Sequence, residues 1–131
     1  MILLDTHVLI WLASEPKRLS RPAAAAIRRA IRSGGLGVAS ITLWEVAMLA
    51  ASGRLRAAGT MDAAVRLLVE ETGVSVLEIT PSVAALATQF PADFPKDPAD
   101  RLIAATARDG GLPLVTADER IRACGLVKTV W

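Results

Sequence analysis

The sequence predicts an α/β fold, with a parallel sheet covered by helices on both faces. Three observations carry this expectation. Five short, mostly apolar runs have strand length: ILLD (2–5), LGVAS (36–40), VSVLEI (74–79), LPLVT (112–116) and VKTVW (127–131). A helical pattern separates each run from the next. Such runs lack the polar alternation of a half-solvated sheet, which fits strands buried on both faces. Finally, no repeat, low-complexity tract or long linker divides the 131 residues, so residues 1–131 are expected to form a single domain.

The helices between the runs carry their own start and stop signals. THVLIWLAS (6–14) follows the first strand directly. Ser20 is placed to cap a helix with Pro22 in its first turn, which runs through AAAAIRRAIRS and stops at Gly34-Gly35. A third helix starts near Ser40 or Thr42, carries LWEVAMLAA and ends at Gly53. Its positions 41, 44, 48, 49 and 52 are apolar or small, so burial all round is expected. An amphipathic stretch from Thr60 to Thr72 stops at Gly73. Thr80 then caps PSVAALATQF, and Asp97-Pro98 opens a helix ending at Gly110-Gly111. ADERIRAC is a short helix before the closing strand.

Composition, at 53% hydrophobic and 21% charged, describes a chain able to bury a core without disulfides. Cys124 is alone and cannot form an internal bridge, which fits a reducing cytoplasm. No secretory leader is expected, because Asp5 comes early and no basic segment precedes the apolar run. No membrane span is expected either, since Glu45 interrupts the best apolar stretch. Net charge is only +2, but it is unevenly spread. Up to residue 60, eight basic residues face three acids, which gives this half a cationic exterior suited to a polyanion.

Four carboxylates resist explanation as surface residues. Asp5 is the only charge between Met1 and Ser14, and Glu45 the only one from Ser33 to Ser52. Asp100 opens the apolar run DRLIAATA, and Asp118 follows LPLVTA. An ionised carboxylate in apolar surroundings is costly unless it is paired or bound to a cation. Asp5 lies at the end of the first strand, Asp118 two residues past the end of the fourth, and Glu45 about one turn into a helix leaving a strand. Asp100 shares a stripe with Ile103, Ala104 and Ala107. In parallel sheets ligands gather beyond the carboxyl ends of the strands, so all four belong at one edge. Each has a blander role available. Asp5 and Asp118 could cap helices, Asp100 could complement a helix dipole, and Glu45 could pair with a buried arginine. Asp97 is a natural cap before Pro98. His7 is expected to have a structural or packing role, and Trp11 and Trp44 to lie in the core or at an interface. Arg54, Arg56 and Arg101 are the residues expected to contact the phosphates of a polyanion such as a nucleic acid.

LLDTHVLIWL, SITLWEVAMLAASGRL, DPADRLIAATA and LVTADERI, in this order, resemble the motifs of the PIN-domain ribonucleases, and in particular the VapC-type toxins of bacterial toxin–antitoxin systems. The resemblance spans nearly the whole chain. It implies a three-layer α/β/α fold with a central, mainly parallel five-stranded sheet. It also implies a catalytic Mg²⁺ or Mn²⁺ site held by Asp5, Glu45, Asp100 and Asp118. Thr6 and Thr116 match hydroxyl residues flanking that site, Ser40 the serine before the glutamate helix, and Asp97 a supporting group. A cognate antitoxin is implied, its C-terminal segment filling a groove near Trp11, Leu12, Trp44, Met48 and Leu49, as is a homodimer.

The residues independently favour the same ion. Oxygen ligands without clustered His or Cys select Mg²⁺ or Mn²⁺ over zinc, and such an ion activates water for attack on a phosphodiester. Two other readings compete. A phospho-acceptor receiver domain would share the Asp, the strand-end Thr and Lys128, but VLEIT carries no acceptor Asp. A non-catalytic interaction module would hold its metal only for structure.

Overall fold

The computed structural model describes residues 1–131. Five strands, β1 (Ile2–Leu4), β2 (Leu36–Ala39), β3 (Ser75–Leu77), β4 (Leu114–Val115) and β5 (Thr129–Val130), form one sheet. Its order is β3-β2-β1-β4-β5, and every pairing is parallel. Seven helices connect and cover it: α1 (Thr6–Ser14), α2 (Arg21–Ser33), α3 (Ser40–Ala51), α4 (Met61–Thr72), α5 (Pro81–Ala87), α6 (Pro98–Asp109) and α7 (Glu119–Ala123).

The two-residue period of a strand sorts its side chains between two cores. Leu3, Ala39 and Leu114 join a cluster with Phe90, Phe94, Ile103, Ala104 and Ile121. Their neighbours Leu4, Val38 and Val115 join one with Val8, Leu9, Ile27 and Val46. The α/β/α layering follows, with α5, α6 and α7 on one face and α1, α2 and α3 on the other. At Gly37 in β2, an added Cβ would lie 2.8 Å from the Leu77 side chain and 3.0 Å from the Met1 sulfur, so a larger residue there requires these side-chain ends to move.

Capping sets the helix starts. Ser20, Thr60 and Thr80 accept hydrogen bonds from Ala23, Ala63 and Val83 amides, respectively. Gly73 ends α4 with φ of 66°. Three details depart from the sequence expectation. A 3₁₀ turn at Pro16–Arg18 follows α1. Helix α5 stops at Ala87 instead of continuing to Phe90, because Phe90 turns into the core to stack on Phe94, with centroids 4.3 Å apart. Helix α3 is not buried all round: it buries Thr42 and Val46 but leaves Trp44 56% and Met48 43% exposed. Its neighbours cover one side only, and apolar residues on the other side meet solvent. No helix is long and apolar enough to cross a membrane.

Candidate active site

The chain runs from β1 outward to β2 and β3, then returns to place β4 on the other side of β1. The point where the order reverses opens a crevice beyond the carboxyl ends of β1 and β4. Asp5 follows β1 directly and Asp118 follows β4 by three residues, while α3 presents Glu45 from its second turn and α6 presents Asp100 from its first. These four acids and Asp97 line one cavity of about 370 Å³ with His7, Val8, Trp11 and Ala117.

Asp5 is nine-tenths buried and tied at both oxygens. Its Oδ1 accepts from the Thr6 amide at 2.7 Å, and its Oδ2 accepts from the Thr116 hydroxyl at 2.7 Å. The Thr116 hydroxyl in turn accepts from the Asp118 amide at 3.1 Å, so the ends of β1 and β4 are linked through one carboxylate. Thr6 Oγ1 donates to Glu45 Oε1 at 2.6 Å and lies 3.0 Å from the Thr42 hydroxyl. A hydroxyl has a single proton. With that proton given to Glu45, Thr42 must be the donor of the second bond.

The bland roles and the site coexist. Asp5 and Asp118 do cap α1 and α7, Asp118 Oδ1 accepting from Arg120 and Ile121 amides. Capping fixes one oxygen and leaves the carboxylate facing the cavity. Asp97 caps α6 through Ala99 as expected, and also reaches the cavity wall. The alternative for Glu45, a buried ion pair, is absent. No cation is within salt-bridge distance of Asp5, Glu45, Asp97 or Asp100, and Asp118 meets only Arg120, at 3.7 Å.

Electrostatics register this imbalance. Burial pushes the Asp5 carboxyl above the usual range, against the lowering effect of the Thr116 and Thr6 hydrogen bonds. Burial also raises Glu45, with the Thr6 bond opposing and the charges of Asp5 and Asp97 adding to the rise. Asp100 is pushed up to about 7, by burial first and then by the negative charges of Asp5, Asp97, Asp118 and Glu45.

The donor set suits a hard divalent cation: every carboxylate is an oxygen donor, and mutual repulsion rewards a positive charge between them. No three acidic or histidine groups already stand close enough to grip a common ion. The acids form a ring around a cavity, with room for the water ligands that Mg²⁺ normally retains.

Other expectations need correction. Ser40 opens α3, but its hydroxyl makes no capping bond and lines neither this cavity nor its neighbour, because Ala39 holds the cap position. Thr42 supplies the buried hydroxyl instead. Its place three residues before Glu45, on the same helix face, was the available signal. Arg101 sits over Phe94, 5.8 Å from the ring centroid, and lines neither cavity. Arg54 and Arg56 line an adjoining cleft. His7 is exposed but packs against Trp11, with ring centroids 6.0 Å apart, and Trp11 is half-buried on a cavity wall and not in the core.

Residues 2–125 match the family model described as the PIN domain. The chain belongs to the PIN-domain family. It is similar to Ribonuclease VapC22 of Mycobacterium tuberculosis, with 46% identity over 122 residues that cover 93% of this chain and 90% of that protein. Its fold matches VapBC2 from Rickettsia felis bound to a DNA fragment from its promoter, with TM-score 0.73, 12% identity and coverage of 98% and 97% of the two chains. It also matches FitAcB from Neisseria gonorrhoeae, with TM-score 0.64, 25% identity and coverage of 98% and 96%. The three-layer architecture expected of a PIN domain is therefore the architecture observed.

Proposed function

We propose that this PIN domain is a divalent-cation-dependent endoribonuclease, the toxin of a toxin–antitoxin pair. One observation carries the reading: five acids face one cavity at the sheet's switch point, four of them with no cationic partner, in a chain 46% identical to a ribonuclease. Asp5, Glu45, Asp100 and Asp118 are the residues that would hold Mg²⁺ or Mn²⁺. When bound, the ion lowers the pKa of a water for attack on the phosphodiester and neutralises developing charge.

The chain's own residues supply position. Thr116 and the Thr6 amide hold Asp5 in one rotamer, while Thr6, backed by Thr42, holds Glu45. Asp97 and Asp118 stay fixed through their caps. The partly buried cavity floor limits bulk water around the acids and strengthens any interaction with a cation.

The similarity to VapBC complexes supports a protein antitoxin as partner. An apolar groove between α1, α3 and α4, walled by Ile10, Val46, Ala50, Leu67 and Leu68, is the surface that suits it. This is a different set of side chains from the Trp11, Leu12, Trp44, Met48 and Leu49 expected from sequence. Helix α3 still contributes its exposed Trp44 and Met48 nearby, a surface suited to a homodimer contact. A cytoplasmic address belongs to the same reading.

The test is cleavage of cellular RNA by purified protein in Mg²⁺, in EDTA, and with Asp5→Asn or Glu45→Gln. Activity lost with EDTA and with either substitution, at unchanged circular dichroism, is the expected result. Full activity in either variant would end the reading.

A further inference from the structure

Beyond the wall formed by His7 and Trp11 lies a second cleft of about 550 Å³. Both residues line it and the acid cavity, so the two spaces share a partition. Its other walls bring three arginines, Arg18, Arg54 and Arg56, against one acid, Glu15. Glu15 reaches Arg18 only at 4.0 Å, with both side chains more than half exposed. Such a contact leaves most of the positive charge available.

The arginines are held by structure close to the chemistry. Leu49, near the end of α3, accepts from both the Arg54 and Leu55 amides, at 2.9 and 3.0 Å. Leu55 packs inward against the core, and its two neighbours remain exposed. The Arg18 guanidinium carbon lies 4.4 Å from the centroid of Trp11, the spacing of a stacked pair. Trp11 also meets Trp131, 5.8 Å away between centroids in a tilted arrangement. The cleft therefore offers an aromatic face already covered by a planar group, with two further cations beside it. A nucleobase and its phosphates present those same two chemistries.

We infer that this cleft is a subsite for single-stranded RNA next to the scissile phosphate. A base stacks on Trp11 in the place held by the Arg18 guanidinium, and Arg54 and Arg56 take the flanking phosphates. The inference rests on the nuclease reading above and adds to it the side from which the strand enters. The acid ring repels phosphate and the arginine cleft attracts it, so the strand is held on the basic side with one phosphate carried over the partition. An acidic protein segment would be drawn by the arginines, but it has no need of an aromatic stacking face.

The experiment measures anisotropy of a short fluorescein-labelled oligouridine, with Asp5→Asn in every protein so that the strand stays intact. Arg54→Gln with Arg56→Gln should weaken binding at least about tenfold and lower the salt slope by about 1.4. Arg28→Gln with Arg29→Gln, on the exposed face of α2, removes the same charge and should change affinity less than about twofold. Trp11→Leu should weaken binding about tenfold at an unchanged slope, and Trp11→Phe should restore most of it. The arginine pair is exposed, so its result stands even if Trp11→Leu unfolds the chain. Equal losses from the two arginine pairs would overturn the subsite. So would loss of binding to an acidic peptide with oligouridine binding intact, which would assign the cleft to a protein. If the chain with its native acids cuts the probe in Mg²⁺ and the cleft substitutions leave affinity unchanged, only the subsite falls. If it neither binds nor cuts the probe, the nuclease reading falls as well.

Discussion

The two sides of the His7–Trp11 partition are built in opposite ways. On the acid side, Asp5 and Glu45 are fixed by groups that are buried from solvent. Thr6, Thr42 and Thr116 are all buried, and each spends its hydroxyl on a carboxylate or on another hydroxyl that holds one. On the basic side, Arg18, Arg54 and Arg56 are exposed and make no close ion pair. Rigidity on one side and reach on the other match two different tasks. Positioning a reacting group needs atoms held to fractions of an ångström, whereas guiding a flexible polyanion needs charge that can follow it.

Substitutions should separate the two sides by size and kind of effect. The largest falls on the acids themselves: Asp5→Asn should lower RNA cleavage by about 10³-fold or more, measured as turnover at saturating RNA. Next come the hydroxyls behind them. Thr6→Val and Thr42→Val, both close to isosteric, should cost about 10–100-fold in turnover or metal affinity, with RNA affinity unchanged. A change in RNA affinity without a change in turnover would erase the distinction between the two sides.

A smaller effect, of unusual sign, is expected on stability. The Asp100 carboxyl titrates near 7 in the folded chain, against an ordinary value of 3.8. The folded state therefore holds this proton more tightly than the unfolded state. The resulting stability is fully present below about pH 4 and is lost as pH rises through 7. Asp5 and Glu45 shift in the same direction. Metal-free protein should thus melt higher at pH 5.5 than at pH 8, in contrast to a typical salt-bridged carboxylate. Asp100→Asn should raise metal-free stability at pH 8 by about 1–2 kcal/mol, after allowance for its partial exposure, and flatten the pH dependence. Calorimetric melting across that range measures both.

Much of this was readable in the sequence, for identifiable reasons. Strand and helix limits followed from capping residues and glycines, which act locally, and every predicted element forms within a few residues of its expected ends. Asp5 and Glu45 stood out because a lone charge in an apolar run has few structural explanations. Thr42 did not, since a threonine near a helix start looks like a cap, and its true partner, Thr6, lies 36 residues away. The open face of α3 was hidden because an all-apolar helix reads alike whether a core or a partner covers it. The end of α5 depended on Phe90 meeting Phe94, a contact that no helical period announces. Arg101 sits on a different face of α6 from Asp100, since one residue along a helix turns a side chain about 100°, and its contact with Phe94 is one that the helical period does not announce.

The central claim is that carboxylates from β1, α3, α6 and the end of β4 act as one cation site. Isothermal titration of Mn²⁺ into the protein at pH 8 and at pH 6 tests it most directly. One saturable transition is predicted, weaker at pH 6 because protons compete for the raised carboxyls. Asp5→Asn, Glu45→Gln and Asp100→Asn should each weaken it about tenfold or more. Mn²⁺ binding that is unchanged by all three substitutions, or equally strong at both pH values, would contradict the account.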